Sequence, residues 1–215
     1  MPDIEPVDPQ PEPARTQPSP LARARRWLWG LVAVALIAAA GLYLGQSRPA
    51  PGDAGADFAT AFGGAFTMVD QTGRTVTDQT LRGKPYAIFF GFTRCPDVCP
   101  TSLTRMAQLR QRLGTRGMDF NIVFVSVDPG HDTARTIGSY LELFGTPIIG
   151  LTGSDAQLER IVKAFHVFYR KVPVEGGDYT VDHTATVFLM DGDGRFVSTI
   201  DYHEAPDVAL QKVER

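Results

Sequence analysis

Cys95 and Cys99 are the only two cysteines in the chain, and they lie four residues apart in the stretch FFGFTRCPDVCP. An apolar, strand-like run from Tyr86 to Phe92 precedes them, and a helix-like segment from Ser102 to Leu113 follows. A strand-to-helix junction exposes the free N–H groups of a helix N-terminus and the positive end of its dipole. That field lowers a thiol's pKa and favours the thiolate, the form that attacks disulfides and binds soft metals. The chemistry implied by this spacing is redox, metal binding, or both.

Two thiols at i and i+4 on a regular helix have Cβ atoms ~5–6 Å apart, whereas a disulfide wants ~3.5–4.5 Å. A CPDVC segment that oxidises must therefore leave ideal helix geometry. Pro96 and Pro100 favour such a departure, because each lacks a donor and restricts the residue before it. A metal is less demanding, since one ion with metal–sulfur bonds of ~2.3 Å bridges sulfurs up to about twice that distance apart. Soft thiolates select Cu(I) or Zn(II), and two thiolates alone leave either ion short of a ligand. Four histidines are available, His131, His166, His183 and His203. His183 is the best placed, in a loop of VDHTATVFLM just before a buried strand. His131 in PGHD reads as a polar loop residue, His166 as a helix-end residue and His203 as a C-terminal surface residue.

The surrounding pattern alternates strands and helices. FTMVD and RTVT around QTG read as an N-terminal hairpin, Phe66 to Thr77. Tyr86–Phe92 and Asn121–Val127 are apolar throughout, as strands buried on both faces are. Thr133–Phe144 reads as a helix with Asp132 or Thr133 as its N-cap, and Asp155–Phe165 as one opened by Ser154 with Gln157. Ile148–Leu151 is a short strand. Val167–Val172 and Tyr179–Val181 flank a Gly-Gly turn, and Ala185–Met190 and Phe196–Ile200 flank DGDGR. A last helix, read as shortened, begins at Pro206. This order predicts an α/β, thioredoxin-like sheet.

The net charge of −3 and the lack of a basic patch argue against nucleic acid as a partner. Residues 1–26 are Pro-rich and then Arg-rich, and the reading is a disordered cytoplasmic tail. Trp27 to Leu44 carries no charge and reaches the length of a transmembrane anchor, with Trp27, Trp29 and Tyr43 near its ends. Arg15, Arg23, Arg25 and Arg26 precede it, so the positive-inside rule leaves the tail in the cytoplasm and the rest outside. The run is longer than the apolar core of a signal peptide, which favours an uncleaved anchor. A linker at 45–57 and a folded domain at 58–215 complete the expected organisation. Outside the cytoplasm a structural disulfide is possible. A bond closing so short a loop stabilises little, so the pair reads as a working site.

GFTRCPDVCPTSL, FVSVDPGHDT and YTVDHTATVFLMDGDGRF, in that order, resemble the Sco/SenC family of membrane-anchored copper proteins. The resemblance runs from about Phe66 to Ile200. It implies a thioredoxin-like fold and a copper site, as Cu(I), Cu(II) or both, formed by Cys95, Cys99 and His183. It further implies delivery of copper to the CuA site of cytochrome c oxidase subunit II, with other periplasmic copper chaperones or thioredoxin-like reductants as further partners. The acidic, Pro-rich tail does not read as an amphipathic mitochondrial transit peptide, so the expected location is a bacterial cytoplasmic (inner) membrane with the C-terminal domain in the periplasm. Thiol–disulfide exchange by Cys95 and Cys99 that keeps the CuA cysteines reduced is the alternative function, and a redox or copper sensor is another. Asp182 matches the acid beside the family histidine and is read as orienting that loop or as an ordinary cap. His131 stands where relatives carry a charged, non-ligating residue and is left open as an extra donor.

Overall fold

The structure, a computed structural model, describes residues 20–46 and 59–214. The chain divides into two compact units, Met1–Pro51 and Gly52–Arg215. In the first, Pro20–Gln46 forms one helix of 27 residues (α1), about 40 Å long at 1.5 Å per residue. Its segment Ala24–Gly41 is long and apolar enough to cross a membrane, by length and composition. Helix geometry begins seven residues before the apolar run, because proline at a first helical position costs no hydrogen bond. The expected tail over 1–19 and the linker over 47–57 lie outside the described residues.

The second unit is built on a mixed seven-stranded sheet. Its strands are β1 (Thr67–Asp70), β2 (Thr75–Thr77), β3 (Tyr86–Gly91), β4 (Asn121–Ser126), β5 (Ile149–Thr152), β8 (Val187–Met190) and β9 (Phe196–Ile200), in the order β2-β1-β5-β4-β3-β8-β9. The centre is parallel: Phe89 pairs with Phe124 and Gly91 with Ser126, while Val123 pairs with Ile149. β8 joins β3 antiparallel, with Ile88 opposite Phe188. β1 and β2 also pair antiparallel, Met68 opposite Val76. The sequence explains the placement: every residue of β3 and of β8 is buried, as central strands covered on both faces require.

Alternation along β3 feeds two aromatic clusters. Phe90 meets Phe165 and Phe188 at ring-centroid distances of 5.4 and 6.2 Å, while Phe89 meets Phe124 at 6.5 Å. Four helices pack on this sheet: α2 (Val98–Arg112), α3 (Ala134–Glu142), α4 (Asp155–Ala164) and α5 (Pro206–Val213). Thr133 caps α3, its hydroxyl accepting from the Thr136 N–H. The Gln157 carboxamide oxygen accepts from the Ser154 N–H to brace the start of α4.

α2 starts at Val98, four residues earlier than the sequence reading placed it. Pro100 is accommodated there because in a first turn its missing N–H has no partner to lose. The far end of α2 is tied down by Arg110, which is 5% exposed. Its guanidinium donates to the carbonyls of Gly117, Phe120 and Pro147 and to the Thr146 hydroxyl. It also lies over the Phe120 ring. A Cβ at Gly117 would overlap the Arg110 backbone, so only glycine allows this approach.

β6 (Tyr169–Pro173) and β7 (Tyr179–His183) form a separate antiparallel ribbon that shares no strand pairing with the main sheet. Its register sets Arg170 opposite Asp182 and Tyr169 opposite His183. His183 is therefore the last residue of a strand, where the sequence reading had placed it in a loop.

Replacing Arg110 by Met strands several buried acceptors at once. Each unsatisfied group costs about 1–3 kcal/mol, and the apolar side chain offsets part of that. Arg110→Met is expected to lower stability by about 2–4 kcal/mol, read as a shift of the urea midpoint. An unchanged midpoint would contradict this role for Arg110.

Candidate metal centre

Cys95 and Cys99 sit at the start of α2, immediately after β3. The Cys95 N–H donates to the Phe92 carbonyl and closes the turn that leaves the strand. Cys99 lies inside the first turn of α2 and is fully buried, whereas Cys95 is half-buried. The Cys99 N–H, one of the free donors of the helix start, points to the Cys95 sulfur at 3.4 Å. β3 ends in a glycine for a steric reason: a Cβ at Gly91 would stand 2.7 Å from the Cys99 sulfur and 3.0 Å from the Phe89 ring.

His183 arrives from the ribbon. Its Nε2 lies 3.4 Å from the Cys99 sulfur, and its Nδ1 lies 3.0 Å from the Thr184 carbonyl oxygen. A carbonyl only accepts, so Nδ1 carries a proton and Nε2 is the nitrogen turned toward the sulfurs. The edges of Phe89 and Phe92 hold the imidazole, with centroids at 6.0 and 5.8 Å in T-shaped contact. The donor atoms of Cys95, Cys99 and His183 all lie within 4.8 Å of one another. Among the described residues this is the one group of three or more such side chains that could hold a metal ion.

The electrostatics separate the two thiols. The Cys95 pKa is lowered from near 9 to about 4, chiefly by the hydrogen bond from Cys99. Burial opposes this, and His183 and the N–H groups of Asp97 and Cys99 assist it. Cys99 is pushed strongly upward, first because its proton is shared with Cys95 and then by burial. One proton thus serves two sulfurs, and Cys95 is the one that gives it up. Such a set of one thiolate, one thiol that loses its proton to a metal, and one imidazole suits a soft ion such as Cu(I).

The cysteine loop is pinned by a residue that the sequence reading treated only as a helix cap. The buried Asp132 carboxylate accepts from the Thr93 N–H (3.0 Å), the Thr93 hydroxyl (2.6 Å) and the Ser126 hydroxyl (2.6 Å). The clue in the sequence was an acid just after a strand end, in a position to reach back. Asp182 is exposed and accepts from its cross-strand neighbour Arg170 at 3.3 Å. His131 is not an extra donor. Its Nδ1 lies within 3.0 Å of Asp128 and Arg94 and 2.8 Å of the Tyr179 hydroxyl. His166 and His203 are exposed and stack edge-on with Phe62 and Tyr202.

A thiol whose folded pKa lies below its unfolded value adds stability that is complete above the unfolded pKa and lost as pH falls through the folded one. In the reduced, metal-free protein, thiolate absorbance is expected to titrate one sulfur near pH 4 and to leave the other protonated past neutrality. Between about pH 4 and pH 9, stability should rise more steeply in this protein than in Cys95→Ser. Two thiols that both titrate near the ordinary value, about 8.5, would contradict this arrangement.

The SCO1/SenC family model matches residues 54–215. Protein SenC of Rhodobacter capsulatus is 38% identical over 152 residues, covering 70% of this chain and 68% of that protein. The mitochondrial SCO1 homolog 1 of Arabidopsis thaliana is 38% identical over 138 residues, 64% of this chain but only 41% of its own length. Bradyrhizobium japonicum ScoI, solved with copper bound, superposes with a TM-score of 0.67 at 44% identity, covering 72% of this chain and 98% of that one. Copper-bound Arabidopsis thaliana ScoI gives 0.67 at 33% identity, covering 72% and 99%. By its matched residues and its fold, this chain belongs to the SCO1/SenC family.

Proposed function

We propose that Cys95, Cys99 and His183 carry a single copper ion as cargo, and that the chain is a metallochaperone for the CuA site of cytochrome c oxidase subunit II. The observation that carries this reading is the convergence of two sulfurs and one imidazole nitrogen within 4.8 Å of one another. Relatives from Bradyrhizobium japonicum and Arabidopsis thaliana have been solved with copper bound. Three donors leave Cu(I) with an open side, and Cys95 and His183 are only partly buried. An incoming thiolate can therefore attach before the first ligand leaves, so that copper passes by stepwise exchange. α1 serves as the membrane anchor, with the arginines at its N-terminal end on the cytoplasmic side and the folded domain in the periplasm.

A thiol–disulfide reductase role is the second reading, favoured by the low pKa of Cys95 beside the buried Cys99. The Cys95 thiolate attacks one sulfur of a partner disulfide and releases the other as a thiolate. Cys99, on losing its proton, then attacks Cys95 in the mixed disulfide and frees the second partner thiol. The partner gains two electrons, this chain is left with a Cys95–Cys99 disulfide, and a thioredoxin-like dithiol must reduce it again. His183 takes no part in these steps.

The two readings separate in a Cu(I) competition titration of the reduced full chain in detergent. The chaperone reading predicts one tightly held copper per chain and a loss of at least ~10-fold in affinity for His183→Ala, the scale that even outer-shell partners reach. Affinity that ignores His183 would leave the dithiol reductase as the better account.

A further inference from the structure

His183 reaches the cysteines on a ribbon that belongs to no larger sheet. An isolated two-stranded ribbon is marginally stable in water, so the contacts that dock it decide where its last residue lies. Val181 is buried, and Tyr169 and Tyr179 pack against the core. These apolar contacts hold the ribbon down but set no fine register. Among the described residues, the polar contacts that join the ribbon to the body, besides those between His183 and the two cysteines, run through Arg94 and Tyr179.

Arg94 immediately precedes Cys95. Its guanidinium donates to the Asp178 carboxylate at 2.7 Å and to the Tyr179 carbonyl at 3.4 Å, both on the ribbon side. It also reaches the Asp128 carboxylate, at 3.3 Å, beyond the end of β4. Asp128 is fully buried and accepts the Tyr179 hydroxyl at 2.6 Å. A buried carboxylate is costly unless compensated. Asp128 has its compensation from Arg94, Tyr179 and His131, which come from three separate segments. Its demand for partners therefore pulls the cysteine loop and the ribbon onto one point. Of the two ends of this bridge, the Tyr179–Asp128 end is the buried one. The Arg94–Asp178 pair is partly exposed, with side chains 34% and 55% accessible, and contributes less.

We infer that Arg94 and Tyr179, anchored on Asp128, are positioning residues that fix His183 at ligating distance from Cys95 and Cys99. This rests on the reading of those three residues as the copper ligands. Tyr179 touches no proposed ligand, so its removal acts on the site only through the ribbon. Tyr179→Phe keeps the ring that packs on the core and deletes the hydroxyl alone. Loosening the clasp swings one ligand away while the two thiols stay in place, which leaves a two-sulfur site.

The test is a double-mutant cycle in the full chain, with Cu(I) affinity as the readout and Co(II) absorption as the probe of ligand number. Tyr179→Phe and Arg94→Met are each expected to weaken Cu(I) binding about tenfold, on the scale of outer-shell effects. Neither should change it by more than about twofold once His183→Ala is already present, because their effect passes through His183. The Co(II) spectrum of Tyr179→Phe should move toward that of His183→Ala. Arg94→Lys, which keeps a charge for Asp178 but loses the fork, should fall between Arg94→Met and the unaltered protein. Amide exchange at Val181 and His183 in metal-free Tyr179→Phe should be faster. Equal weakening in both backgrounds would assign the residues a general stabilising role and overturn the inference. Unchanged affinity in Tyr179→Phe, with His183→Ala still weakened, would overturn the inference while leaving the ligand set intact. Unchanged affinity in His183→Ala would overturn both.

Discussion

The site depends on docking a two-stranded ribbon, which pairs with nothing else, against the N-terminus of one helix. The helix end supplies N–H groups and a positive dipole, and the Cys95 sulfur is their acceptor. The ribbon supplies an imidazole whose tautomer is set by the carbonyl of its neighbouring residue. Neither half is a metal site alone. Two thiols at a helix start are a redox pair, and a histidine on a small ribbon is a surface side chain. Chemistry suited to a soft cation appears only where the two meet.

The rest of the domain supports that meeting. The buried strands β3 and β4 end side by side, so the cysteine loop leaves one strand where the Asp128–Asp132 turn leaves the other. The Asp132 carboxylate bonds across this gap to Thr93, and Gly91 leaves room for the Cys99 sulfur. Phe89 and Phe92 continue the aromatic core up to the imidazole. The half-exposed Cys95 and His183 then face solvent from a rigid floor. This suits the proposed hand-over of copper, in which a partner must reach the ion without the domain opening.

Much of this was legible in the sequence, for identifiable reasons. Strands such as YAIFFG and NIVFVS carry their burial in their composition, and the caps at Thr133 and Ser154 are local signals. The cysteine pair announces itself by chemistry and spacing, and its place just before a buried strand singles out His183 among four histidines, in agreement with the family resemblance. What could not be read are contacts between distant segments. Arg94 and Asp178 are 84 positions apart, Thr93 and Asp132 are 39 apart, and no periodicity links them. The apolar spacing that marks α2 begins only at Leu103, so the turn from Val98 to Thr101, which holds Cys99 and Pro100, is not visible in it. Asp182 reads either as orienting its loop or as an ordinary cap; alternation along the strand turns it away from His183, and it pairs with Arg170 across the ribbon. For His131, a polar loop residue by its sequence, the extra-donor alternative stays open there because a sequence does not show that its ring is engaged by Asp128, Arg94 and Tyr179.

The central claim is that copper is held by both sulfurs and by the ribbon's imidazole. X-ray absorption at the copper edge of the Cu(I)-loaded full chain tests it most directly. The account predicts two sulfur scatterers at ~2.3 Å and one imidazole nitrogen at ~2.0 Å, with the nitrogen shell lost in His183→Ala. A copper bound by sulfur alone, with a spectrum that does not change in His183→Ala, would contradict it.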